Sequence, residues 1–175
     1  MPLPKPSGLL ESNIGAALQA IESSGVSPIT DKLLTAASTV ALPGRLTHLE
    51  VSGVRVVLDV AHNRESVNAL VEFLLQNPCE GATRAIFGVM GDKPVRDMIS
   101  VCAGVFTDWS VIDLCRTLRA MPAEQLISEI GPDRVTAKGT FSDVWRETLG
   151  RCQPGDRIVV FGSFHTVSEA LALLG

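Results

Sequence analysis

From position 13 the apolar residues Ile14, Ala17, Leu18 and Ile21 recur at the spacing of one helix face, and Gly25 stands where such a helix would stop. The pattern predicts a helix over 13–21. A second helix follows from Leu33, Leu34, Ala37 and Val40, with Thr30 or Asp31 able to cap its start and Pro43-Gly44 to close it. At Leu46 the period changes. The β-rich runs 46–51 and 54–60 are separated only by Ser52-Gly53, which predicts a hairpin. The chain then alternates between helices over 64–75, 95–106, 123–130, 142–152 and 166–174 and strands over 84–89, 109–114, 134–137 and 157–161. Apolar strands alternating with helices predict an α/β fold, a mainly parallel sheet covered by helices on both faces and preceded by a short helical pair. The opening Met1-Pro2-Leu3-Pro4-Lys5-Pro6 suits neither helix nor strand.

In such sheets ligands gather where strands end. That rule selects three loops: Asp59-Val60-Ala61-His62-Asn63, Gly88-Val89-Met90-Gly91-Asp92-Lys93 and Gly162-Ser163-Phe164-His165-Thr166. An aspartate at the end of a buried strand needs hydrogen-bond donors, which ribose hydroxyls, an ammonium or an arginine would supply, so Asp59 is the first choice for a ligand contact. The competing reading makes Asp59 the cap of the following helix, although Asn63 is better placed for that task. His62 and His165 stand out from His48 only because both fall on ligand-side loops. Gly162-Ser163 suits a carboxylate or phosphate at a helix start, or simply a tight turn. Asp92-Lys93 is either a surface pair or a pair of charges aimed into the cleft.

Composition narrows the function classes. The 175 residues are 46% hydrophobic with a formal charge of -4 and no Lys/Arg cluster, which favours one main domain and small-molecule partners over nucleic acid or an anionic membrane. No signal peptide opens the chain, and no run approaches the roughly 18 apolar residues of a membrane helix. Cys79, Cys102, Cys115 and Cys152 form no C-x-x-C pair, so reduced, mostly buried thiols in a cytoplasmic protein are expected, without a metal. There is no G-x-x-x-x-G-K-[ST] phosphate loop and no strand-borne G-x-G-x-x-G. Dinucleotide binding and self-contained ATP hydrolysis are therefore not expected.

Four segments in series, Leu42-Pro43-Gly44-Arg45, Asp59-Val60-Ala61-His62-Asn63, Met90-Gly91-Asp92-Lys93 and Gly162-Ser163-Phe164-His165-Thr166-Val167, resemble the bifunctional folylpolyglutamate synthase/dihydrofolate synthase family of the Mur ligase superfamily. The likeness runs from about Asn13 to Leu174. It implies that residues 1–43 are the tail of a central ATPase domain and that 44–175 form a Rossmann-like C-terminal glutamate-ligase domain. It also implies an ATP- and Mg2+-dependent reaction joining L-glutamate to dihydropteroate or a reduced folate, with the metal ligands in an upstream domain and this chain inactive alone. In that reaction ATP converts a carboxylate into an acyl phosphate, which the glutamate amine then attacks.

The resemblance assigns nucleotide contacts to Asn13, Arg45 and Asp59, with Arg45 on the phosphates. It places His62, Ser163 and Lys93 by the incoming glutamate, and Arg45 and His62 carry the catalytic roles. Arg116 and Arg119 are further candidates for the dicarboxylate that the resemblance leaves unassigned. Pro94 stands where family members often carry an acidic residue, which separates this loop from the family pattern. Two rival readings are a stand-alone Rossmann-like binding module and a Mur-type ligase that adds another amino acid to a cell-wall precursor.

Overall fold

A computed structural model describes residues 11–39, 42–114 and 117–175. The expected contributions of Val40, Cys115, Arg116 and the proline-rich opening lie outside the described residues. Helix α1 (Glu11–Ser24) ends at Gly25, whose positive φ of 66° stops it. Helix α2 (Asp31–Thr39) is capped by Thr30, whose hydroxyl accepts from the Leu33 amide at 3.2 Å. Strands β1 (Thr47–Val51) and β2 (Val54–Asp59) form the expected hairpin, with Ser52 and Gly53 both at positive φ, as a two-residue turn of matching twist requires.

Beyond the hairpin come α3 (Arg64–Gln76), β3 (Thr83–Phe87), α4 (Val95–Val101), β4 (Asp108–Ile112), α5 (Ala123–Ile130), β5 (Val135–Gly139), α6 (Phe141–Gly150), β6 (Arg157–Phe161) and α7 (Phe164–Leu174). A single 3-10 turn, Pro132–Arg134, leads into β5. The six strands lie in the order β1-β2-β6-β3-β4-β5, and only the β1–β2 pair is antiparallel. The sheet is thus mainly parallel, as the apolar strands predict. Helix α4 stops five residues short of the expected end: the chain turns through Gly104 at φ 76° and sends Phe106 into the core.

Alternate residues of the four inner strands feed two cores. Val57, Ala85, Phe87, Trp109, Val159 and Phe161 pack with α3, α4 and α5 on one face, while Val56, Leu58, Ile86, Ile158 and Val160 pack with α6 and α7 on the other. The aromatic group Phe87, Phe106, Trp109 and Phe161 fills the first core with ring centroids 4.8 to 6.0 Å apart. Each fully buried large side chain there contributes roughly 1.5–3 kcal/mol by leaving water. Cys102 is buried in this core, and burial pushes its thiol up to about 12, so it behaves as a small apolar filler. Cys79 and Cys152 are half-buried and also free.

The two faces fix where a ligand can enter. Chain leaving β2 and β3 turns toward α3 and α4, whereas chain leaving β6, which lies between them, turns toward α7 on the opposite face. Adjacent strands whose exits diverge leave a crevice at their carboxyl ends.

Candidate functional site

One wall of that crevice is the turn that carries Arg45. Gly44 has φ 79°, and a side chain there would come within 2.8 Å of Val167 and 3.2 Å of Val60. Leu46 also lies at positive φ, 44°, which a leucine adopts only when its surroundings hold it. Four hydrogen bonds do so. Gly44 N–H donates to Thr47 Oγ1 at 2.9 Å, the Gly44 carbonyl accepts from Val60 N–H at 2.8 Å, Arg45 N–H donates to the Leu42 carbonyl at 3.0 Å, and Leu46 N–H donates to Asp59 Oδ2 at 2.9 Å. Arg45 itself is half-buried, with its guanidinium 5.8 Å from the centre of the Phe164 ring.

Asp59 completes this wall from beneath. It is 6% exposed, and its other oxygen, Oδ1, accepts from Ala61 N–H at 2.8 Å. Burial raises its carboxyl above the ordinary value, while the two backbone donors and the positive charges of Arg45 and His62 pull it back. Asp59 does not cap α3. That task falls to Asn63, whose side chain accepts from Ser66 N–H at 2.9 Å while Ser66 Oγ accepts in return from Asn63 N–H at 3.3 Å.

The capped helix leaves His62 free to face the crevice. His62 Nδ1 lies 2.8 Å from the Val60 carbonyl, so in the neutral ring Nδ1 carries the proton and Nε2 offers its lone pair outward. Its ring meets Phe164 at 6.2 Å between centroids. Phe164 is 60% exposed and lies between Arg45 and His62.

The opposite wall joins β3, β6 and the segment after β4. Gly162 has φ 114°, and a Cβ there would stand 2.6 Å from the Gly88 carbonyl and 2.8 Å from the Phe87 ring, so the two glycines let the strand ends touch. Ser163 is buried and caps α7: its hydroxyl accepts from Thr166 N–H at 3.1 Å and lies 2.9 Å from Thr166 Oγ1. Because Thr166 Oγ1 donates to the Gly88 carbonyl at 2.6 Å, the Ser163 proton goes to Thr166. The hydroxyl is therefore committed within the chain, as a tight turn into the helix requires. Loop 88–93 is tied to the segment after β4 by Gly91 N–H to the Arg119 carbonyl at 2.8 Å and Met121 N–H to the Val89 carbonyl at 2.9 Å.

Between the walls lies a cavity of about 320 Å³ whose lining includes His62, Lys93, Arg119, Ser163, Phe164 and His165. None of the described lining residues is a carboxylate. Asp92 stands beside it, 3.2 Å from both Lys93 Nζ and Arg119 Nη2, and the Lys93 hydrogen bond holds its carboxyl below the ordinary range. The structure thus brings together His62, Ser163 and Lys93, with Arg45 one ring away. It adds Arg119, which sequence reasoning left unassigned although its place after β4 put it on the same rim. Asn13 is exposed on α1 and does not line the cavity, and His48 lines a different cavity. Among the described residues no group of three or more His, Cys, Asp or Glu side chains could hold a metal ion. No helix among them is long and apolar enough to cross a membrane.

Comparison with known proteins agrees with this geometry. The family described as Mur ligase, glutamate ligase domain matches residues 44–164. A dihydrofolate synthase/folylpolyglutamate synthase of Buchnera aphidicola subsp. Schizaphis graminum is 30% identical over 162 residues, 93% of this chain and 38% of the relative. The structure of Escherichia coli FolC in complex with DHPP and ADP superposes with a TM-score of 0.82 at 26% identity, covering 99% of this chain and 40% of that one. A bifunctional folylpolyglutamate synthase/dihydrofolate synthase with Mn, AMPPNP and L-glutamate bound gives 0.81 at 26% identity, covering 99% of this chain and 41% of that one. The chain spans about two fifths of the length of these relatives. With a family match over most of its length and a fold that superposes on these enzymes, the chain belongs to the Mur ligase glutamate ligase domain family, and the relatives it resembles are folylpolyglutamate synthase/dihydrofolate synthases.

Proposed function

We propose that this chain is the glutamate-side part of an ATP-dependent ligase that joins L-glutamate to dihydropteroate or a reduced folate through an acyl phosphate. The observation that carries the reading is the rim cavity, whose described lining holds Lys93 and Arg119 but no carboxylate; both cations pair with Asp92 beside the cavity at 3.2 Å and keep further donors for a ligand, and the space opens beside Arg45. A dicarboxylate needs two cationic contacts, and Arg119 supplies the bidentate one. Relatives solved with L-glutamate, AMPPNP, ADP and DHPP support the substrate classes.

The roles follow from the geometry. Arg45, held at a fixed angle by its turn, neutralises charge on the transferring phosphoryl group. Asp59 acts on the nucleotide side through that turn, and Asn13 joins the same side on the strength of the family resemblance. His62 presents Nε2 to the glutamate ammonium and accepts its proton, which leaves the amine free to attack the acyl phosphate. Ser163 shapes the wall through its cap, and the first amides of α7 lie beside the cavity. The magnesium, on the strength of the family resemblance, would be held by residues of an upstream domain. Residues 1–43 belong to that ATPase domain in this reading and 44–175 to the ligase domain, a boundary supported by the family match that starts at residue 44. The setting is the cytoplasm, and the chain alone does not ligate.

The test is ATP-dependent ligation of labelled glutamate onto dihydropteroate and onto a reduced folate by the full-length natural protein, compared with the 175-residue chain. Ligation by the former and none by the latter is expected. Ligation of a different amino acid in preference to glutamate would move the protein to the cell-wall branch, and no ligation by either would favour a binding module.

A further inference from the structure

A second cavity, of about 480 Å³, opens at the other end of the sheet, between the β1–β2 hairpin and the C-terminal half of α3. Its lining includes Arg55, Arg157, His48, Glu50, Phe73 and Asn77. Arg157 opens β6 and Arg55 lies in β2, whereas the rim is reached at Phe161, some four residues or roughly 13 Å further along the strand. The two cavities are therefore independent.

Arg157 is 6% exposed, yet among the described residues it has no anionic partner. Its Nη1 donates to the Asn77 carbonyl at 2.6 Å and the Leu74 carbonyl at 3.4 Å, and its Nη2 to Thr83 Oγ1 at 3.0 Å, all neutral acceptors. The Nε–H is buried with no acceptor. Strand register sets Arg55 directly opposite Arg157, so both side chains rise from the same face of adjacent strands. Among the described residues neither arginine forms an ion pair, although Arg84, at the same end of β3, is paired with both Asp108 and Asp156.

The surroundings do not supply the missing charge. Carbonyls at the C-terminus of α3 bring about half an elementary charge toward Arg157. Glu50 is the one carboxylate in the described lining; it lies opposite Arg55 in the hairpin and forms no ion pair with either arginine. His48 packs its ring on Phe73 at 5.3 Å and adds a donor at the mouth. Two like charges side by side, one of them buried, are stabilised by an anion that both can contact. We propose that this cavity binds a compact oxyanion, a phosphate group or a carboxylate, held between Arg55 and Arg157 with His48 as a third donor.

The experiment titrates inorganic phosphate and, separately, succinate into the 175-residue chain and follows backbone amide and arginine Nε–H resonances. Saturable shifts at Arg55, Arg157, His48 and Phe73 are expected. Arg55→Gln should weaken binding by about tenfold or more, because one charge-assisted contact is lost. His48→Gln should weaken it less, and Arg119→Gln, at the rim, should leave these shifts in place. Both single changes near the site are on exposed side chains, which avoids the folding risk of replacing Arg157. Tighter binding of phosphate than of succinate would assign a phosphate ligand, and the reverse a carboxylate. No saturable shift at these residues up to about 50 mM of either anion, well above the millimolar range of weak specific sites, would overturn the proposal. Shifts confined to the rim and lost in Arg119→Gln would do the same.

Discussion

Replacing Asp59 with alanine tests whether the Arg45 turn is held from below. The substitution removes acceptors from two backbone donors, Leu46 N–H at 2.9 Å and Ala61 N–H at 2.8 Å. Each charge-assisted bond contributes roughly 1.5–3 kcal/mol, but the carboxylate also bears a burial cost, visible as its raised pKa, which the alanine does not. The net loss expected is on the order of 2–4 kcal/mol, measured as the shift in urea unfolding of the 175-residue chain at neutral pH. Leu46 at φ 44° adds a local signature. Without its bond to Asp59, the leucine can relax toward negative φ and recover about 1–2 kcal/mol of strain, so its amide resonance should move and broaden. The direction of any pH effect is also fixed. A carboxyl whose folded pKa is raised holds its proton better when folded, so this group favours folding most below its ordinary value of 3.8 and loses that contribution as pH rises through the raised value. The stability deficit of Asp59→Ala should therefore not grow as pH rises from 5 to 8. A loss below about 0.5 kcal/mol with an unmoved Leu46 amide would refute the reasoning, because the turn would then be held without Asp59.

Other outcomes follow from the same coordinates. Arg119→Ala in the full-length protein should raise the glutamate KM by about tenfold to a hundredfold with little change for ATP, whereas Arg45→Ala should lower kcat with little change in the glutamate KM in steady-state kinetics. Gly162→Ala should destabilise the chain by at least about 2 kcal/mol in urea titrations, since its Cβ would meet the Gly88 carbonyl at 2.6 Å and its φ of 114° disfavours any side chain. Asp156 accepts from Ala82 N–H at 2.7 Å and Gln153 N–H at 3.0 Å and pairs with Arg84; burial works against its charged form, but these partners prevail and hold its carboxyl below 3.8. Its stabilising contribution is present above 3.8 and lost as pH falls through the depressed value, so Asp156→Asn should lower the urea midpoint at pH 7 and converge with the parent in acid.

Local patterns made much of the fold legible and the rest invisible for definable reasons. The Ser52-Gly53 hairpin could be read from two residues, because a tight turn is a property of its own dihedral angles. The end of α4 could not, because Val101 to Phe106 keeps an apolar pattern, and only Gly104 and the demand of the core for Phe106 break the helix. Lys93 and His62 were visible as rim residues from strand-end position alone. Arg119 could be named as a candidate but not placed, since what holds it at the cavity is a long-range pairing of Gly91 with Arg119 and of Met121 with Val89 that no local period encodes. Ser163 shows a third case: its place was legible, but the destination of its hydroxyl proton depends on Thr166 and the Gly88 carbonyl, a chain of donors that spacing does not reveal.

The sheet is assembled around the strand that is synthesised last. β6 pairs with both β2 and β3, so until residues 157–161 leave the ribosome those two strands have no partner on their inner edges, and the two cores they border stay open. Nascent chain ending before β6 therefore presents two unpaired apolar edges, the kind of surface that chaperones hold and that aggregates when they do not. A premature stop anywhere upstream of Arg157 would yield not a weakened domain but one that cannot close, and α7, with the Phe164 that lies between Arg45 and His62, would be lost with it.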